Sequence, residues 1–270
     1  MTRPLAIDLF CGLGGWTEGL LSEGWRVRGY DIEAHEYGDE RYPAELVLAD
    51  VMSLHGADLA EAELIVASPP CTEFSYMAMP WGRAKQIARA LRGEDEFPEG
   101  YNGSRTVAEL TALFNACFRL QREANEAAGR DIPMIVENVR GAVPWVGKAA
   151  WNHGSFYLWG DVPALMPEVV GARKLPGCGH GWKHPDDPRH TPGLDFTRLA
   201  GKAADGIKQA GLTGLRDNGK GSRWFQDGAA PSGSKSSARK AASAKIAKIP
   251  LALSSHIARV YHPGAIEVAA

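Results

Sequence analysis

In Ile65-Val66-Ala67-Ser68-Pro69-Pro70-Cys71-Thr72-Glu73-Phe74-Ser75 an apolar run stops on two prolines and a cysteine. Leu64 to Ala67 suit a buried strand, and Ser68-Pro69-Pro70 end it abruptly. The prolines restrict the backbone on both sides of the turn, leaving the cysteine little freedom. A thiol is then held at the carboxyl end of a strand, where open α/β sheets place their ligands. Taken alone, Cys71 is as readily a small buried hydrophobe. Its neighbours along the chain move the reading toward chemistry.

Upstream, Leu5 to Phe10 reads as a first strand, followed by Cys11-Gly12-Leu13-Gly14-Gly15 and an amphipathic helix, Trp16 to Glu23. Strand, glycine turn and helix form a nucleotide-binding unit, because glycines allow close backbone approach and the helix start offers N–H groups. A second strand, Trp25 to Tyr30, ends in Asp31, about 20 residues past the turn, which suits a ribose-hydroxyl acceptor. A third, Leu46 to Ala49, ends in Asp50, placed to accept from an exocyclic amine. Either aspartate could instead be a cap or turn residue.

Downstream of Cys71 the pattern lapses from Ser75 to Thr106, which reads as a mobile loop with a short helix at Ala84 to Leu91. Thr106 to Ala128 is a helix with Leu110, Leu113, Phe114, Cys117 and Leu120 on one face, which makes Cys117 core. Pro133 to Val136 is a short strand ending in Glu137-Asn138-Val139-Arg140-Gly141. A carboxyl at a buried strand's end should have a raised pKa and suit a proton donor, unless it is simply a surface acid. A strand at Ser155 to Leu158 follows. Cys178, His180, His184 and His190 match no common zinc-finger spacing, so that region reads as a polar loop and no metal is expected. Ala229 to Ser237 is a Gly/Ser/Pro-rich connection. Pro250 can start a last helix, Leu251 to Val260, docking through Leu253, Ile257 and Val260.

The 270 residues are 44% hydrophobic and 23% charged, ordinary for a globular chain long enough to bury a core. Four widely spaced cysteines form no CxxC pair, so neither a disulfide framework nor a four-thiolate zinc site is indicated, and a reducing, cytoplasmic compartment is expected. No signal-peptide pattern opens the chain, and no apolar run approaches the roughly 20 residues of a membrane span. Charge is uneven. Residues 198–248 carry eleven lysines and arginines against three aspartates, a net of +8, so the rest carries −10 of the overall −2. A basic segment on an acidic body suits contact with a phosphate backbone, or is a solvated, partly disordered stretch.

Together the motifs resemble the C5-cytosine methyltransferase family. Asp8-Leu9-Phe10-Cys11-Gly12-Leu13-Gly14-Gly15 looks like its S-adenosylmethionine loop. Pro69-Pro70-Cys71-Thr72-Glu73-Phe74-Ser75 looks like its nucleophile motif, and Glu137-Asn138-Val139 matches its Glu-Asn-Val motif. The likeness covers about residues 5–160. Two departures stand out: Ala149-Ala150-Trp151-Asn152-His153-Gly154 lacks the family's arginine set, and Lys248-Ile249-Pro250 stands where a Gly-Asn motif is usual.

The resemblance implies an α/β, Rossmann-like S-adenosylmethionine-dependent methyltransferase fold with a small, irregular, basic C-terminal region. The expected division is a cofactor-binding and catalytic domain over 1–166, a target-recognition region over 167–245, and a C-terminal helix over 246–270 returning to the first. It implies DNA cytosine-C5 methylation with Cys71 as nucleophile and Glu137 assisting at N3. Phe10, Gly12, Leu13, Gly14, Gly15, Asp31, Ile32, Asp50, Val51 and Pro70 would hold the S-adenosylmethionine. Ser75, Asn138, Arg140, Arg223, Lys235, Arg239 and Lys240 would meet the nucleic acid. The partner is duplex DNA with a flipped cytosine, the protein a monomer, and a phage-encoded or restriction-modification setting would suit so compact a chain. Free cytosine nucleotide, single-stranded DNA or RNA, or a silent cofactor-binding module, are the competing readings.

Overall fold

The computed structural model describes residues 2–72, 74–75, 81–96, 106–153, 156–166, 244 and 247–264. Seven strands form one mixed sheet: β1 (Leu5–Leu9), β2 (Arg26–Asp31), β3 (Glu45–Leu48), β4 (Leu64–Ala67), β5 (Met134–Asn138), β6 (Trp151–His153) and β7 (Phe156–Gly160). Their order is β3-β2-β1-β4-β5-β7-β6. The first five are parallel, whereas β7 runs antiparallel to both β5 and β6. Central strands are covered on both faces and so read as continuous apolar runs, as Leu64 to Ala67 does.

Alternate side chains on these strands feed two cores. Ile7, Leu9, Ile65, Ala67, Met134 and Val136 pack with Leu110, Phe114, Cys117 and Leu120 of helix α3 (Val107–Ala128). Ala6, Leu64, Val66 and Ile135 pack on the other face with Trp16 and Leu20 of α1 (Gly15–Ser22) and Leu253 and Ile257 of α5 (Leu251–Tyr261). Between them in the chain lie α2 (Trp81–Leu91) and the one-turn α4 (Val143–Val146). The fold is a Rossmann-like α/β sheet, as the βα pattern predicts.

Local signals set several boundaries. Thr106 caps α3 from outside, its hydroxyl accepting from Glu109 N–H while Glu109 reaches back to Thr106 N–H. Gly129, at φ 65°, stops that helix in the left-handed conformation. Pro250 stands at the N-cap of α5.

Two expectations need correction, and one strand was unforeseen. Val260 is 43% exposed, because the buried stripe of α5 runs through Leu253, Ser254, Ile257 and Ala258 and leaves Val260 at its edge. The third strand stops at Leu48, and Asp50 caps a 3-10 turn, Val51–Ser53, by accepting from Met52 N–H at 2.9 Å. Strand β6 was not anticipated: its three residues, Trp151-Asn152-His153, are too few to show a period of two, and their pairing with β7 creates them. The expected glycine-rich connection and the cysteine–histidine cluster lie outside the described residues.

Candidate active site

The glycine turn begins immediately after β1. Phe10 takes φ 57°, unusual for a residue with a side chain, and Gly12 and Gly14 follow at 50° and 76°. Gly14 N–H donates to the Cys11 carbonyl at 2.8 Å, closing the turn, and Gly14 becomes the N-cap of α1. Gly12 N–H donates to Asp31 Oδ2 at 2.9 Å, joining the turn to the end of β2.

Around this turn lies a cavity of about 390 Å³, within the size range of cofactor pockets. Phe10, Gly12, Leu13, Gly15, Asp31, Ile32, Asp50, Val51 and Pro70 all line it. Gly14 does not: a Cβ there would meet Pro43 Cδ at 2.6 Å, so it serves the turn and its packing. Sequence reasoning missed Trp16, Ser68, His35, Lys248 and Ile249, which line the same cavity. Trp16 Nε1 donates to Ser68 Oγ at 3.0 Å, bridging the start of α1 to the turn after β4. Lys248, marked in the sequence only as standing where a Gly-Asn motif is usual, arrives from the far end of the chain.

Among the described residues the lining is acidic, with Asp8, Asp31, Glu33 and Asp50 against one lysine. Asp8 is buried and accepts from Thr17 Oγ1 at 2.6 Å through Oδ2, while Oδ1 has no partner among the described residues. Desolvation pushes its pKa up to about 8. Burial also works to raise Asp31, but His35 and the Gly12 N–H outweigh it and hold the carboxyl below its usual range. Cys11 lines the cavity too, yet burial and the charges of Asp8 and Asp31 push its thiol far up, which makes it a poor nucleophile. Cys117 is wholly buried in α3, its thiol raised to about 12 by desolvation.

Cys71 lies one residue beyond the Pro70 that lines the cavity, half-buried at the carboxyl edge of β4. Its carbonyl accepts from Phe74 N–H at 3.0 Å and Ser75 N–H at 2.8 Å, forming a tight turn. Strand β5, next to β4, ends in buried Glu137 and Asn138. The Asn138 amide donates to the Pro69 carbonyl at 3.0 Å and accepts from Val139 N–H at 2.8 Å. It therefore ties the end of β5 to the cysteine turn. Farther on, Gly141 presses on that turn, since a Cβ there would fall 1.8 Å from the Phe74 carbonyl oxygen. Ser75 is half-buried and Arg140 exposed. Arg223, Lys235, Arg239 and Lys240 lie outside the described residues, and among the described residues no group of metal-ligating side chains forms.

A family model described as C-5 cytosine-specific DNA methylase matches residues 5–86. Among solved structures, the chain is similar to a protein described as a DNA modification methyltransferase encoded within an E. coli prophage, at 21% identity, 52% coverage of this chain, 33% of that chain and TM-score 0.33. It is similar to the S. pombe Dnmt2 methyltransferase at 14% identity, with 53% and 36% coverage and TM-score 0.30. It is also similar to the Entamoeba histolytica methyltransferase EhMeth at 17% identity, with 54% and 41% coverage and TM-score 0.33. The aligned part spans between a third and two-fifths of those proteins. No curated protein sequence matches the chain. Residues 5–86, from the first strand through the glycine turn and the Pro-Pro-Cys turn, thus match the C-5 cytosine-specific DNA methylase family, the family its motifs resemble.

Proposed function

We propose that this protein methylates C5 of cytosine in DNA with S-adenosylmethionine as methyl donor. The observation that carries the reading is the shared edge of β4 and β5. There Cys71 follows Pro70 of the acidic cavity, and buried Glu137 ends the neighbouring strand.

The cavity's charge supports this cofactor over a phosphate-bearing nucleotide. The carboxylates of Asp31, Glu33 and Asp50 would repel phosphates, whereas S-adenosylmethionine brings a sulfonium and an ammonium. Phe10, Gly12, Asp31, Ile32, Asp50, Val51 and Pro70 are the residues that would hold it. When bound, it supplies an electrophilic methyl group.

Cys71 as thiolate adds to C6 of the cytosine, and Glu137 gives a proton to N3. The C6 bond to sulfur and the proton at N3 make C5 enamine-like, so its electron pair takes the methyl group. Water takes the C5 proton, the 5,6 double bond re-forms as Cys71 departs with its sulfur electrons, and N3 returns its proton to the Glu137 carboxylate. In a duplex the base must be flipped out to reach the Cys71 turn.

The test is incubation with S-adenosylmethionine and duplex DNA, followed by digestion and mass spectrometry of the nucleosides. 5-Methyldeoxycytidine is expected, and is expected to vanish with Cys71→Ser. Its absence from wild-type reactions on duplex DNA overturns the substrate assignment, and the same assay with cytosine nucleotides and RNA then identifies the acceptor.

A further inference from the structure

Resting on the cofactor reading above, we infer that Lys248 is the residue that binds the carboxylate at the amino-acid end of S-adenosylmethionine. Among the described residues lining the cavity it carries the one permanent positive charge. Asp31 ends β2, Glu33 and Asp50 follow β2 and β3, and a carboxylate laid against these acids would be repelled. Their side suits hydroxyls and an amine, which leaves the Lys248 wall for the anionic end.

Packing holds that wall in place. Ile249, next to Lys248, is pressed against the glycine turn: a Cβ on Gly15 would fall 2.4 Å from Ile249 N. Pro250 then starts α5, which is seated on the sheet through buried Leu253 and Ile257. The lysine backbone is therefore fixed relative to the turn that would cradle the cofactor.

Lys248 Nζ also pairs with Glu18 Oε1 at 2.5 Å. An ammonium has three N–H groups, so one carboxylate partner leaves donors for a second. The pair is partly exposed, its side chains 29% and 43% accessible, and pairs of that kind add little to stability. Anchoring α5 is thus a weak reason for a lysine here.

The experiment is calorimetric binding of S-adenosylmethionine and of decarboxylated S-adenosylmethionine, which lacks only the carboxylate. Lys248→Met is expected to weaken S-adenosylmethionine by roughly tenfold or more, the loss of a charge-assisted hydrogen bond. It should leave the decarboxylated form unweakened, and Lys248→Arg should recover most of the loss. Glu18→Gln, which removes only the ion pair, should not reduce S-adenosylmethionine affinity. Equal losses for both ligands, or equal losses in Lys248→Met and Glu18→Gln, overturn the assignment in favour of a structural tie. Lys248→Met binding like wild type overturns it alone, whereas a wild type that binds neither ligand removes the cofactor reading with it.

Discussion

Asn138 Nδ2 donates to the carbonyl of Pro69 at 3.0 Å, a buried bond from the end of β5 to the residue two before Cys71. Cutting it leaves a buried carbonyl unpaired, at a cost of about 1–3 kcal/mol. Asn138→Ala is expected to lower the melting temperature and turnover while S-adenosylmethionine affinity stays near wild type. Asn138→Asp keeps the acceptor for Val139 N–H but sets carboxylate oxygens against the Pro69 carbonyl, so it should be no better. Paired calorimetry and steady-state kinetics check both.

Gly141→Ala tests the same turn from the other side. The added Cβ would collide with the Phe74 backbone, which cannot yield without shifting the Cys71 turn. Turnover should fall by more than tenfold, with little change in cofactor affinity, since Gly141 does not line the cavity. A crystal structure of the variant should show the turn displaced.

Asp8 gives a pH signature. Its folded-state pKa, about 8, lies above the ordinary 3.8. The folded protein therefore holds this proton more tightly than the unfolded chain, and the resulting stability is complete at low pH. It is lost as pH rises from about 4 through 8. Asp8→Asn removes the titration, so the difference in unfolding free energy between variant and wild type should shift in the variant's favour across that window. Denaturant melts at several pH values measure it, and a pH-independent difference would contradict the assignment.

Gly19 lets α1 and α5 touch. A Cβ there would lie 2.3 Å from Ser254 Oγ and 2.4 Å from the Ser254 carbonyl carbon. Gly19→Ala is expected to destabilise by about 1–3 kcal/mol through overpacking, read as a lowered denaturation midpoint. Because α5 carries the Lys248–Ile249 wall behind it, cofactor affinity should drop as well.

Much of this was legible in the residues alone. The runs Leu5 to Leu9 and Leu64 to Ala67 are apolar enough to be central strands, and glycines or prolines end them, so strand, turn and helix could be read locally. The same local logic picked out Gly12, Asp31, Pro70, Cys71 and Glu137, because each stands at a strand's carboxyl end. What the chain could not show locally was which ends meet. Only the order β1-β4-β5 puts the Cys71 turn beside Asn138 and Gly141, and only the docking of α5 on α1 brings Lys248 to a turn more than two hundred residues earlier. Side-chain commitments were hidden for the same reason. That the Asn138 amide donates to Pro69 is invisible in the sequence, and Asp8 looks like an ordinary strand residue until burial raises its pKa. Local propensity sets the elements; contacts between residues far apart in the chain set their partners, their charge and the walls of the site.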